Sequence, residues 1–173
     1  FKLDGGAMFG VIPKKMWQKA KAADAENRID MGTNCLLIEA GSELVLLDTG
    51  LGDKQDEKYQ GIFAYEEGAQ RLPEAIRAAG FALEQVTHVV LTHLHFDHCG
   101  WNTHLRGGQW VPTFANARYI ITRREYDCLA AASPHLSPQD LNIGVFERSV
   151  APVMAAGLID LVQGTHRLTP QVT

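Results

Sequence analysis

One stretch constrains this chain more than any other: Thr92-His93-Leu94-His95-Phe96-Asp97-His98-Cys99-Gly100, directly after the apolar run Val89-Val90-Leu91. A short apolar run of this kind reads as a buried strand. Three imidazoles and one carboxylate therefore fall within six residues at the end of a strand. In extended backbone, residues two apart point to the same side. His93 and His95 can thus grip one ion together, and Asp97 follows on that side. A turn into a helix after Asp97 swings His98 round to join it at a second ion. Imidazole nitrogen with carboxylate oxygen suits zinc, iron, manganese or cobalt. Two such ions close together hold a hydroxide between them and polarise a substrate oxygen. A single histidine at a strand end is ordinarily structural, but this cluster points to a metal centre.

The flanking sequence supplies a frame for it. Cys35 to Ala40 and Leu44 to Asp48 read as a hairpin through Gly41-Ser42, the second strand ending in Asp48-Thr49-Gly50. Residues 1–34 read as a loop-rich lead-in. Asp4-Gly5-Gly6-Ala7-Met8-Phe9-Gly10 is expected as a turn, and Lys14 to Ala25 as a short helix whose lysines 14, 15, 19 and 21 face solvent. Residues 51–68 read as a long loop. Leu72, Ile76 and Ala79 recur at helical spacing, with Pro73 near the start and Gly80 at the end. Arg118 to Thr122 reads as a strand, Arg123 to Ala132 and Gly144 to Ala156 as helices, Ile159 to Val162 as a strand, and Gly164 as a turn. Strands and helices that alternate in this way indicate an α/β layered fold.

Composition excludes several classes. The 173 residues suit one domain with a real core. The net charge of −4, without a basic stripe, disfavours nucleic acid or an anionic membrane as partner. No apolar run approaches the roughly 20 residues of a membrane span. No signal peptide is evident, and a chain that begins at Phe1 leaves a trimmed start open. Three cysteines (Cys35, Cys99 and Cys128) fit neither a zinc ribbon nor a disulfide framework, so a reducing, cytoplasmic setting is the default expectation.

The stretch Leu91 to Gly100 resembles the H-x-H-x-D-H signature of the metallo-β-lactamase superfamily. Leu46-Leu47-Asp48-Thr49-Gly50 resembles that family's strand ending in a buried aspartate. Val111-Pro112-Thr113-Phe114 with Ala117-Arg118-Tyr119, and Asp4 to Gly10, resemble its quorum-quenching lactonase-like branch. The resemblance implies an α/β fold, the αββα four-layer sandwich of that family, with residues 1–173 forming the N-terminal half of one hydrolase domain. By position it implies that His93 and His95 bind a first metal, and Asp97 and His98 a second. Asp97 would also orient or deprotonate the attacking water. Asp48 would stand behind the ligands and fix the metal loop. A plain strand-end turn aspartate stays open as the other reading.

The implied cofactor is zinc, two ions per complete site, with iron, manganese or cobalt open. The implied reaction is hydrolysis of an ester, lactone or related acyl bond in a small molecule through a metal-bound hydroxide, with a lean to lactones, including acyl-homoserine lactones. A β-lactamase, a glyoxalase-type thioesterase and an organophosphate or phosphodiester hydrolase share the motif, whereas a diiron flavoprotein would carry Glu where His95 stands. Met8, Phe9 and Phe63, with Trp17 and Ile62, are apolar residues in expected loops that either line a substrate pocket or cover the core. A homo-oligomer is open.

The family pattern also needs a third histidine, a bridging aspartate and a final histidine. Residues 157–173 resemble the strand and turn just before that third histidine. His88, His104, His135 and His166 read as structural or surface residues, and Cys99 as a small buried one. The expectation is therefore an incomplete metal site, one sheet face bare or covered by another chain, and the rival of a metal-binding fragment without activity.

Overall fold

The computed structural model describes residues 1–65, 71–137, 140–170 and 172. The chain divides into two compact units, Phe1–Thr33 with Gln55–Ala69, and Asn34–Lys54 with Gln70–Thr173. In the first unit, β1 (Lys2–Asp4) pairs antiparallel with β2 (Arg28–Asp30), Leu3 lying opposite Ile29. Where a turn was expected after Asp4, the chain forms a helical turn, α1 (Gly5–Phe9). The Asp4 carboxylate explains it by accepting the Ala7 N–H at 2.7 Å, an N-cap that satisfies one free amide. The expected helix over Lys14 to Ala25 is cut to α2 (Lys14–Trp17). Asp24 takes the N–H groups of Glu26 and Arg28, each at 2.9 Å, a local turn that competes with helix. Part of the expected 51–68 loop is instead α3 (Glu57–Ile62), capped by the Asp56 carboxylate on the Tyr59 N–H. Residues 66–68 of that loop lie outside the described residues.

The second unit runs β3 (Leu36–Ala40), β4 (Glu43–Leu47), α4 (Leu72–Ala78), β5 (His88–Val90), β6 (Thr103–Arg106) and β7 (Gln109–Pro112). It continues through β8 (Arg118–Thr122), α5 (Arg123–Ala132), α6 (Ala151–Ala155) and β9 (Ile159–Val162). The hairpin, helix α4, strands β8 and β9 and helix α5 match the sequence reading. The hairpin β6–β7 was not anticipated. It turns at Gly107-Gly108, both with positive φ (59° and 80°), the chemistry that a tight hairpin requires. The expected helix from Gly144 is a π-type turn, Phe146–Val150, followed by α6, with Pro152 in the first turn of α6. Proline has no N–H for the preceding turn, so it can start a helix but cannot continue one. His88 opens β5 rather than preceding it. His104 sits in β6, with Nδ1 3.3 Å from Thr113 Oγ1.

Five strands form one sheet in the order β3-β4-β5-β8-β9, parallel except for the β3–β4 hairpin. Leu44, Leu46, Val89, Tyr119 and Ile121 are buried on one face. On the other, Leu47, Val90 and Val162 are only half-buried. With Ile38, Ile120 and Leu168 they line an apolar hollow of 290 Å³. The expected bare face is therefore a hollow that the tail residues Leu168 and Val172 help to wall. Among the described residues, no helix is long and apolar enough to cross a membrane.

The loop after β4 and the segment after the histidine motif meet backbone to backbone. Gly100 N–H donates to Gly50 O at 2.7 Å, and Trp101 N–H to Thr49 O at 3.2 Å. A Cβ on Gly100 would stand 2.0 Å from the Leu51 carbonyl and 2.4 Å from the Gly52 nitrogen. Only glycine permits this approach. Gly100→Ala should force the loops apart and lower stability by roughly 1–3 kcal/mol, the scale of overpacking. A denaturant midpoint equal to the parent's would show that they separate freely.

Candidate metal centre

Strand β5 ends at Val90. The motif that follows alternates as extended backbone should: Leu94 and Phe96 are buried while His93, His95 and Asp97 are not. Leu94 and Phe96 pull the segment onto the core, and side chains from elsewhere hold its amides. Glu125 accepts from Leu94 N–H at 3.4 Å, and Asn142 Oδ1 from Phe96 N–H at 3.1 Å. After Asp97 the chain curls, His98 N–H reaching His95 O at 3.0 Å, and this brings His98 back over the strand-like part. The rings of His93 and His98 lie 3.9 Å apart, and those of His93 and His95 4.6 Å. Asp97 Oδ2 is 3.6 Å from His98 Nε2. The four motif residues are thus neighbours at the end of β5. Among the described residues, however, no three His, Cys, Asp or Glu side chains close on one point as a metal-holding group.

Asp48 organises this cluster from below. Its backbone is left-handed, φ 56°, a conformation that aspartate tolerates better than most residues. The carboxylate accepts Thr92 N–H at 2.8 Å and Thr92 Oγ1–H at 2.8 Å, and lies 2.8 Å from His98 Nδ1. This carboxylate contact selects the tautomer protonated at Nδ1 in His98 and leaves Nε2 unprotonated, 3.6 Å from Asp97 Oδ2. With its own proton given to Asp48, the Thr92 hydroxyl accepts from His93 Nδ1 at 3.1 Å, which leaves His93 Nε2 free in the same way. Burial, and then the neighbouring His98 and His95 rings, hold the His93 pKa below its ordinary value. A histidine that resists protonation is in the form that binds metal. Two imidazoles with unprotonated Nε2 atoms, a third ring beside them and an adjacent carboxylate form a donor set of the type zinc takes. That set fits one arm of a site rather than a whole one.

The remaining candidates fall elsewhere. Cys99 is fully buried, its thiol pushed up to about 12, chiefly by burial, and it donates to His95 O at 3.2 Å. It behaves as a small core residue, as the sequence suggests. His135 is exposed in a 3₁₀ turn, and His166 stands at the apolar hollow of the sheet. Met8, Phe9 and Phe63 belong to the first unit. There Met8 is exposed, Phe9 stacks on the buried Trp17 at 4.9 Å, and Phe63 is buried beside Tyr59 and Tyr65. The sequence reading missed Thr92, Glu125 and Asn142. Thr92 adjoins His93 and was open to notice, whereas nothing local marks Asn142, which acts 46 residues away.

An N-acyl homoserine lactonase of Bacillus cereus is 26% identical over 110 residues, 58% of this chain and 40% of that protein. The crystal structure of a "probable metal-dependent hydrolase" from Staphylococcus aureus superposes with a TM-score of 0.78 at 26% identity, covering 98% of this chain and 57% of that one. AidC, a dizinc quorum-quenching lactonase solved with a product, superposes at 0.56 with 27% identity, covering 83% and 47%. The chain therefore spans about half the length, or less, of the proteins it resembles. The family model of the metallo-beta-lactamase superfamily matches residues 28–138, from β2 to just past α5 and across both Asp48 and the histidine motif, and the chain belongs to that superfamily.

Proposed function

We propose that this chain carries the first metal-binding arm of a zinc-dependent hydrolase of small-molecule acyl bonds, with lactones as the favoured class. The observation that carries this reading is the Asp48 carboxylate, which contacts Thr92 and His98 Nδ1 together and leaves the His98 Nε2 lone pair unprotonated beside Asp97. His93 and His95 are assigned to one ion, and Asp97 and His98 to a second, with iron, manganese or cobalt as other occupants. Zinc bound there would supply an activated water and a Lewis acid for the carbonyl oxygen. Asp97, whose Oδ2 lies 3.6 Å from His98 Nε2, would orient the attacking water or accept its proton. His98 is kept in one tautomer by Asp48, and His93 by Thr92.

The lactone preference rests on the lactonase relatives and on the dizinc lactonase neighbour. The unpaired state of Cys35, Cys99 and Cys128 supports a cytoplasmic setting. A second reading, a metal-binding fragment without turnover, draws on the absence of a closed three-ligand group among the described residues.

Three outcomes are expected. In the full-length protein, His93→Ala or Asp97→Ala should abolish most hydrolysis of N-hexanoyl-homoserine lactone, followed by pH-stat, and parent-level turnover would refute the assigned roles. Asp48→Asn should weaken zinc binding by roughly 10–100-fold in chelator competition, because the supporting carboxylate loses its charge. Unchanged affinity would reduce Asp48 to a turn former. Residues 1–173 alone should bind zinc weakly and hydrolyse lactones slowly or not at all, since each ion has only two ligands on this arm. Tight zinc binding with brisk turnover by that fragment would overturn the two-ligand assignment and return His104, His135 and His166 to consideration.

A further inference from the structure

We propose that Lys54 is a positioning residue for the metal loop: its amino group clasps both ends of the turn that follows His98 and holds that turn against the loop leaving Asp48. The inference rests on the metal-centre reading above and adds a residue that takes no part in it. Lysines at loop positions ordinarily extend into water. Lys54 instead turns inward, and its Nζ donates to the carbonyls of Gly100 and Thr103, the latter at 2.6 Å. Gly100 opens the 3₁₀ turn Gly100–Asn102, and Thr103 is its C-cap. One side chain therefore pins the entrance and the exit of the turn, two residues beyond His98. The Trp110 ring lies 4.8 Å from the ammonium and closes it off from one side.

The backbone of Lys54 is held as well. Its carbonyl accepts from Arg148 at 3.3 Å, and the Thr103 hydroxyl donates to the Arg148 carbonyl. Arg148 in turn fills the space beside Gly144, where a Cβ would stand 2.5 Å from the guanidinium. Lys54 thus closes a sequence of contacts that starts at Asp48 and runs through Thr49, Gly50 and Gly52 against His98, Gly100 and Trp101. A shift at Gly100 would travel along two peptide units to His98, whose Nε2 faces the cluster.

The clasp depends on donors rather than on charge. Burial lowers the ammonium of Lys54 to about 8, against the smaller opposing pull of Asp53. Cys99 and Arg148 also face it, pulling in opposite directions. Even the neutral amine keeps two hydrogens, one for each carbonyl. Removing the donors, not neutralising them, is the change that should matter.

The test uses the zinc-loaded full-length protein and the variants Lys54→Met, Lys54→Arg and, as a reference, His93→Ala. Zinc release to a chromogenic chelator is followed alongside kcat and KM for N-hexanoyl-homoserine lactone. Lys54→Met should release zinc about 10-fold faster and lose a similar factor in kcat, with KM held within about two-fold, the scale of a lost supporting contact. Lys54→Arg, which retains donors, should recover most of both. If Lys54→Met melts earlier but its folded form releases zinc at the parent rate, the residue is merely structural and the proposal fails. If His93→Ala retains zinc, the metal reading fails and takes the proposal with it. If His93→Ala loses zinc while Lys54→Met behaves as parent, only the Lys54 proposal fails. Should Lys54→Met not fold, Lys54→Gln, whose shorter side chain withdraws its donors from the two carbonyls, is read by the same two criteria.

Discussion

The structure around the histidine motif depends on one buried carboxylate. Asp48 directly follows β4 in a left-handed conformation, and its two oxygens meet Thr92 and His98, which are 44 and 50 residues further along the chain. A buried carboxylate is costly unless its lone pairs are filled, and the three contacts at 2.8 Å do that. They also fix which nitrogen of His98 carries the proton. A single interaction thereby joins two neighbouring strands, satisfies a charge and sets the tautomer of a histidine in the motif. The backbone strain at Asp48 is of the kind that persists where surroundings over-determine a conformation.

Around that contact, close backbone packing takes the place of bulky side chains. Gly52 and Gly100 let two loops touch through their peptide groups, and hydrogen bonds run directly from one to the other. Such packing is stiff, because it contains no rotatable side chain to relax. It holds the loop that carries the histidine motif in one place. The loop's other edge is held by Glu125 and Asn142 on its amides, with Leu94 and Phe96 turned into the core. Positioning is thus shared between burial on one side and polar clasps on the other.

The five-stranded sheet is covered unequally. Tyr119, Val89 and Leu46 are sealed on one face, while Leu47, Val90 and Val162 remain half-buried around the hollow on the other. In a soluble protein, an apolar hollow of that kind usually accommodates further structure or a ligand. It agrees with a chain that spans about half the length of its structural neighbours.

The sequence alone determined the elements whose signals are local. The motif His93-x-His95-x-Asp97-His98 after an apolar strand marked the candidate site, because period-two alternation and ligand type can be read without any neighbour. The β3–β4 hairpin, β8, α5 and β9 were legible for the same reason, and Asp48 was legible only through its place at a strand end. Short capped helices such as α1 and α3 were lost, because one N-cap aspartate in a polar stretch signals turn and helix alike. The tertiary structure alone decided which groups support the motif. Thr92 is adjacent in sequence, but its hydroxyl's role follows from Asp48 across the sheet. Glu125, Asn142 and Lys54 reach the loop over 31, 46 and 46 residues. Contacts of that range leave no periodicity behind, since they arise only when strand order and loop geometry bring distant segments together.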